Sequence, residues 1–187
     1  PGLRPLEGGE RDVASPVDGT LSQLGVVREG RLLQAKGMHY TAGALLADEA
    51  AARRYEGGGF ACIYLAPYNY HRIHMPLAGR LTATRYVPGR LFSVNAATAR
   101  TVSGLFARNE RVVCVFEGPR GPFVLVLVGA TNVGSMATVW HGMVNPPRHG
   151  HLRDWTYEDQ DIQLKQGEEM GRFLLGSTVV LLYPEGG

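Results

Sequence analysis

The sequence predicts a mainly β domain of the α+β class, a barrel or sandwich with one or two helices. Three observations lead there. Short runs rich in β-branched and aromatic residues recur along the chain. The 25 glycines and 11 prolines punctuate them as turns. One stretch, TAGALLADEAAARRY, has a clear helical composition. No internal repeat, low-complexity tract or linker divides residues 1–187, so a single domain is expected.

The elements follow in order. Residues 1–13 are polar and irregular, and SPVDGTLSQLGVV turns into a strand through Pro16, Asp18 and Gly19. RLLQAKGMHY reads as a strand. The helix runs from Thr41, its predicted N-cap, to Tyr55, and the three glycines at 57–59 end it. FACIYLAP is a buried strand, followed by the His- and Tyr-rich segment YNYHRIHMPLAG. RLTATRYVPG is a strand and turn, and Asn95 caps a short helix through Phe106. RVVCVFEGPRGPFVLVLVGATNVGSM is a hairpin about EGPRGP, and ATVWHGMVNPP continues as strand. A mixed polar stretch, GHLRDWTYEDQDIQLKQGEEMGRF, leads to FLLGSTVVLL, a strand over Phe173–Leu182 with Gly-Ser-Thr in its middle. Glycine inside a strand marks a bulge, a bend or a close approach. Here the choice is between a plain bulge and a Gly176–Ser177 bond that is itself a site of chemistry.

Composition narrows the functional classes. Hydrophobic residues make up 44% and charged residues 19%, as in a folded globular chain. A net charge of +2 gives no electrostatic reason to expect a nucleic-acid partner. Cys62 and Cys114 lie in apolar runs and read as buried free thiols of a reducing compartment. The longest apolar run, PFVLVLVGA, is strand-sized rather than membrane-spanning. The chain starts at Pro1, in mid-sequence, and is expected to be a shortened form.

His71 and His74 form the densest titratable cluster. Residues three apart in a strand point to opposite faces, and no third ligand stands at a familiar spacing, so no metal is expected. Asp18 and Ser177 are the candidate partners. Serine, histidine and aspartate supply nucleophile, base and orienter, whatever their order in the chain. One rival reading is therefore a serine hydrolase using Asp18, His74 and Ser177, although Ser177 lacks the G-x-S-x-G elbow. The other is an inactive β module. His39, His141, His149 and His151 read as structural or exposed, and GATNVGS lacks the lysine of a P-loop.

Taken together, SPVDGTLSQLG (15–25), LLQAKGMHY (32–40), YLAPYNYHRIHMPLAGRL (64–81), YVPGRLFSVN (86–95), LFARNERVV (105–113), LVGATNVGSM (127–136) and GEEMGRFLLGSTVVLLYP (167–184) resemble the bacterial, pyruvoyl-dependent phosphatidylserine decarboxylases. YHRxHMP with LGST is the specific part of the match. The resemblance implies a barrel-sandwich-like β domain whose proenzyme cleaves itself at Gly176–Ser177. That leaves a β chain (1–176) and an α chain (177–187), and Ser177 becomes a pyruvoyl group that acts as electron sink in place of pyridoxal phosphate. It further implies that His74 is the base of maturation and Asp18 the acid that orients it. His71 serves decarboxylation, handling the substrate carboxylate or the returning proton. The implied partners are phosphatidylserine in an anionic membrane surface, the chain's own two pieces and, since members are often dimeric, a second copy. The implied location is peripheral, on the cytoplasmic face of the bacterial inner membrane. Two departures stand out. Asn69 replaces a commonly acidic residue before Tyr-His, and the N-terminal segment with its membrane-associating helices is absent from this sequence.

Overall fold

The computed structural model describes residues 5, 6, 9, 12–131, 135–145, 150–174 and 177–186. Fourteen strands occur among them: β1 (Thr20–Val26), β2 (Arg31–Ala35), β3 (Met38–Thr41), β4 (Gly59–Leu65), β5 (Arg72–His74), β6 (Gly79–Val87), β7 (Arg111–Gly118), β8 (Gly121–Val128), β9 (Met136–Thr138), β10 (Gly142–Met143), β11 (Arg153–Thr156), β12 (Gln163–Leu164), β13 (Glu169–Phe173) and β14 (Ser177–Leu182). The main sheet has the order β1-β4-β14-β8-β7-β6-β11, with β12 also on β6. A second sheet has the order β10-β9-β13-β5, and β2 and β3 form a separate hairpin. All pairings in the main and second sheets are antiparallel. The mainly β, α+β class is thus what the chain adopts. The main sheet stays open among the described residues, with β1 and β11 at its edges.

The centre of the main sheet explains the continuous apolar runs. β8 and β14 are covered on both faces, so alternation is lost: all six residues of β14 are buried. The predicted β7–β8 hairpin closes at Gly118 and Gly121 around Pro119 and Arg120, with Gly121 at φ +103°. Ile73, Met136, Met170 and Phe173 of the second sheet join Val126, Val180 and Leu181 of the main sheet in one apolar core.

Helix is more broken than the sequence suggests. Four short helices occur among the described residues: α1 (Ala42–Leu46), α2 (Glu49–Ala52), α3 (Ala96–Ala99) and α4 (Leu105–Arg108). Thr41 caps α1 as predicted, its hydroxyl accepting from Ala44 N at 3.0 Å. The helix breaks at Ala47, which takes φ +52°. Asp48 then starts α2 by accepting from Ala51 N at 2.9 Å. That bond and the guanidinium of Arg85 lower the Asp48 carboxyl below its usual range. The expected helix from Asn95 to Phe106 divides likewise, because Gly104 at φ +66° interrupts it. Arg111, buried, donates to the carbonyls of Ala44 and Leu45 at 2.6 Å and of Asn109 at 2.9 Å. Burial pushes its guanidinium down to about 10.

Three further predictions are refined. RLLQAKGMHY is not one strand but the β2–β3 hairpin, turned at Lys36 and Gly37 with φ +45° and +75°. The WHG segment turns β9 back into β10. Most consequentially, FLLGSTVVLL is not one bulged strand. β13 ends in the second sheet at Phe173, and β14 begins in the main sheet at Ser177.

Candidate active site

Ser177 opens the central strand. Its Cα pairs with Leu65 of β4, the residue is 0% exposed, and its Oγ has no hydrogen-bond partner among the described residues. An unpaired buried hydroxyl is costly and asks for a reason. The preceding residues carry the chain from one sheet to the other. Leu174 is exposed and donates its N–H to Ser135 O at 3.2 Å. Leu175 and Gly176 lie outside the described residues, and so does the Gly176–Ser177 bond.

The histidines lie in the second sheet, His74 at the end of β5 and His71 just before it. β5 pairs antiparallel with β13 through Arg72↔Arg172, Ile73↔Gly171 and His74↔Glu169, and Phe173 N donates to His71 O at 2.9 Å. Ile73, fully buried, turns one face of β5 into the core. Gly171 lets β13 lie close to β9, since a Cβ there would meet Ala137 O at 2.5 Å. His71 ends just before β5, with its Nε2 buried and unpartnered. His74 closes β5 and is held on both ring nitrogens. Nδ1 lies 2.9 Å from the carbonyl oxygen of Gly167, and Nε2 lies 3.3 Å from the Tyr70 hydroxyl.

Asp18 reaches the same end of the molecule through the backbone. His74 N donates to Pro16 O at 2.8 Å, two residues before Asp18. Two residues after it, Thr20 pairs with Tyr64, which pairs on its other side with Thr178. Gly19 permits this approach, because a Cβ would lie 2.5 Å from Tyr64 O. The four predicted residues Asp18, His71, His74 and Ser177 therefore cluster at one end of β4, β14 and β5. Gly176 is not described, and no histidine hydrogen-bonds Ser177 Oγ.

Asn69 has a local task. Its side-chain oxygen accepts from Ala66 N at 2.7 Å while its own N–H donates to Ala66 O at 2.9 Å. This closes the turn that carries Tyr70 and His71. A carboxylate could accept the same bond, so the turn tolerates either residue. Sequence reasoning did not single out Tyr70 or Gly167. Tyr70 sits inside the quoted YHRxHMP motif, whereas Gly167 acts through its carbonyl, which no residue pattern shows.

The surroundings are cationic and apolar. Arg172 is exposed, and its cross-strand neighbour Arg72 pairs with Glu169 at 2.5 Å. Leu174 and Tyr68 are exposed by 60% and 89% beside the site, and Val139 and Met143 protrude from the β9–β10 hairpin.

Comparison with known proteins fits this arrangement. A family model for phosphatidylserine decarboxylase matches residues 1–187. The chain belongs to the phosphatidylserine decarboxylase family. It is 63% identical over 187 residues to the phosphatidylserine decarboxylase proenzyme of Methylibium petroleiphilum, covering 100% of this chain and 65% of that protein. The proenzyme of Variovorax paradoxus is 64% identical over 185 residues, covering 98% of this chain and 65% of the relative. That of Methylobacillus flagellatus is 64% identical over 188 residues, covering 99% and 66%. The chain thus spans slightly less than two thirds of the length of these curated relatives. No described helix is long and apolar enough to cross a membrane.

Proposed function

We propose that this chain is the catalytic part of a phosphatidylserine decarboxylase that matures by cutting itself at Gly176–Ser177. The observation that carries the reading is the Ser177 hydroxyl, buried and unpartnered at the start of the central strand. The relatives' names, each a decarboxylase proenzyme, support it.

In maturation, His74 accepts the hydroxyl proton while Ser177 Oγ attacks the carbonyl carbon of Gly176. The reaction joins neighbouring residues, so effective molarity is high. The Gly176–Ser177 amide becomes an ester, with the Ser177 nitrogen as its free amine. Loss of the Ser177 Cα proton expels the Gly176 carboxylate and leaves dehydroalanine. Water converts that to a pyruvoyl group and ammonia. Asp18 is the acid that supports the charged state of His74. The residues fit the group. Ser177 offers a shielded position with no competing hydrogen bond among the described residues, and His71, just before β5, has an unpartnered Nε2. Once formed, the pyruvoyl group supplies the electron sink for decarboxylation. His71 handles the substrate carboxylate or the proton that replaces it. Arg172 is available for lipid phosphate, and Leu174, Tyr68, Val139 and Met143 can meet apolar lipid. The substrate is phosphatidylserine in an anionic membrane surface, and the enzyme sits peripherally on the cytoplasmic face of the bacterial inner membrane.

Denaturing mass spectrometry with and without a carbonyl-trapping hydrazine tests the reading. The expected result is two pieces, 1–176 and 177–187, the smaller forming a hydrazone. An intact chain whose Ser177 is labelled by a phosphonate would replace this reading with the serine hydrolase.

A further inference from the structure

The Gly167 carbonyl can only accept a hydrogen bond, so the His74 nitrogen 2.9 Å away, Nδ1, carries a hydrogen. In the neutral ring the lone pair then resides on Nε2. The group facing that nitrogen is the Tyr70 hydroxyl at 3.3 Å, and it must be the donor. The two rings are also stacked, with centroids 5.9 Å apart and planes inclined by 17°.

Both contacts come from well-tied turns. Asn69 closes the turn that delivers Tyr70. On the other side, Gly167 takes φ +78°, its N–H donates to Met75 O at 2.9 Å, and Met75 N donates to Glu168 O at 2.8 Å. Gln166 Nε2 donates to Asp12 O at 2.6 Å and Pro76 O at 3.0 Å. A ring held at both nitrogens and on one face has little rotational freedom left.

We infer that Tyr70 is a positioning residue for self-cleavage: with the Gly167 carbonyl fixing the tautomer, it holds the His74 ring so that Nε2 is the nitrogen that receives the Ser177 proton. This rests on the reading of His74 as the base. Tyr70 does not take the proton itself; its hydroxyl yields Nε2 when the serine proton arrives.

The test uses histidine labelled with 15N in the full chain, on a Ser177→Ala background so that every sample stays uncleaved. The parent should show a protonated Nδ1 and a hydrogen-bonded, unprotonated Nε2 at His74. Tyr70→Phe keeps the ring stack and deletes the donor. It should move the Nε2 resonance towards the unbonded imine position and leave Nδ1 in place. With Ser177 restored, Tyr70→Phe should slow self-cleavage about 2- to 10-fold, the value of one net hydrogen bond. Tyr70→Leu, which also removes the stack, should be slower still. An Nε2 resonance that Tyr70→Phe leaves unmoved overturns the proposal, and so does a self-cleavage rate equal to the parent's. Undiminished cleavage in His74→Gln would instead remove His74 as the base, while the resonance comparison would still report on the Tyr70 bond.

Discussion

β14 and β5 carry the two halves of the proposed chemistry and are built in opposite ways. β14 lies inside the main sheet, its six residues paired with β4 on one side and five of them with β8 on the other. β5 has three residues, lies at the edge of the second sheet and pairs only with β13. Ser177, on the central strand, has its backbone fixed and its hydroxyl unengaged. His74, on the edge strand, depends on turns and side chains for its orientation. The difference teaches a division of labour. Under the proposed function, the reacting atom rides on a strand paired on both sides, and the group that exchanges protons rides on an edge strand.

The largest expected effect tests the rigid half. Leu181 is 1% exposed in the middle of β14. Leu181→Ala should cost about 2–5 kcal/mol, the usual range for a buried leucine truncated to alanine. Urea denaturation measures it. A loss under about 1 kcal/mol would mean that the strand is less tightly packed than its burial indicates, and the contrast with β5 would weaken.

A smaller effect tests the adjustable half. Asn69→Ala deletes the bond to Ala66 N and should cost about 1 kcal/mol, while also loosening the turn before Tyr70 and His71. Asn69→Asp keeps an acceptor in place and should restore both stability and self-cleavage to the parent's level. The pair of variants separates turn closure from charge. If Asp cleaves faster than Asn at equal stability, an acidic residue here acts by its charge and not by closing the turn.

Legibility in the sequence followed the same division. The β7–β8 hairpin and the apolar body of β14 were readable, because a strand covered on both faces writes its burial into every residue. Ser177, His71, His74 and Asp18 stood out through the motifs that contain them. Their gathering did not, since it depends on Thr20, Tyr64 and Thr178 aligning across three strands. The helix predicted over 41–55 failed at Ala47, although Asp48 followed by Glu49 is a starting signal of its own. FLLGSTVVLL read as one strand because its hydrophobicity is continuous. A change of sheet leaves no mark on hydrophobicity. Gly167 was invisible for a different reason: its contribution is a carbonyl, which every residue has.

The smallest expected effect concerns what the proposed self-cleavage leaves behind. Cys62 lies on β4, paired with Val180 of β14, and burial pushes its thiol up to about 12. Cys114, on β7, is raised further by its own burial. The thiolate is the reactive form, so burial keeps reactive Cys62 scarce, and its place inside the main sheet shields it further. Alkylation of the folded protein should therefore be negligible, and equally so in the cleaved parent and in uncleaved Ser177→Ala. The equality follows from where the proposed cut lies. It falls before the first residue of β14, and the pairs that Thr178–Leu182 make with β4 and β8 are untouched by it. Timed iodoacetamide labelling read by mass spectrometry checks this. Faster labelling of Cys62 after cleavage would show that the Gly176–Ser177 bond, and not the two ladders, holds the central strand in place.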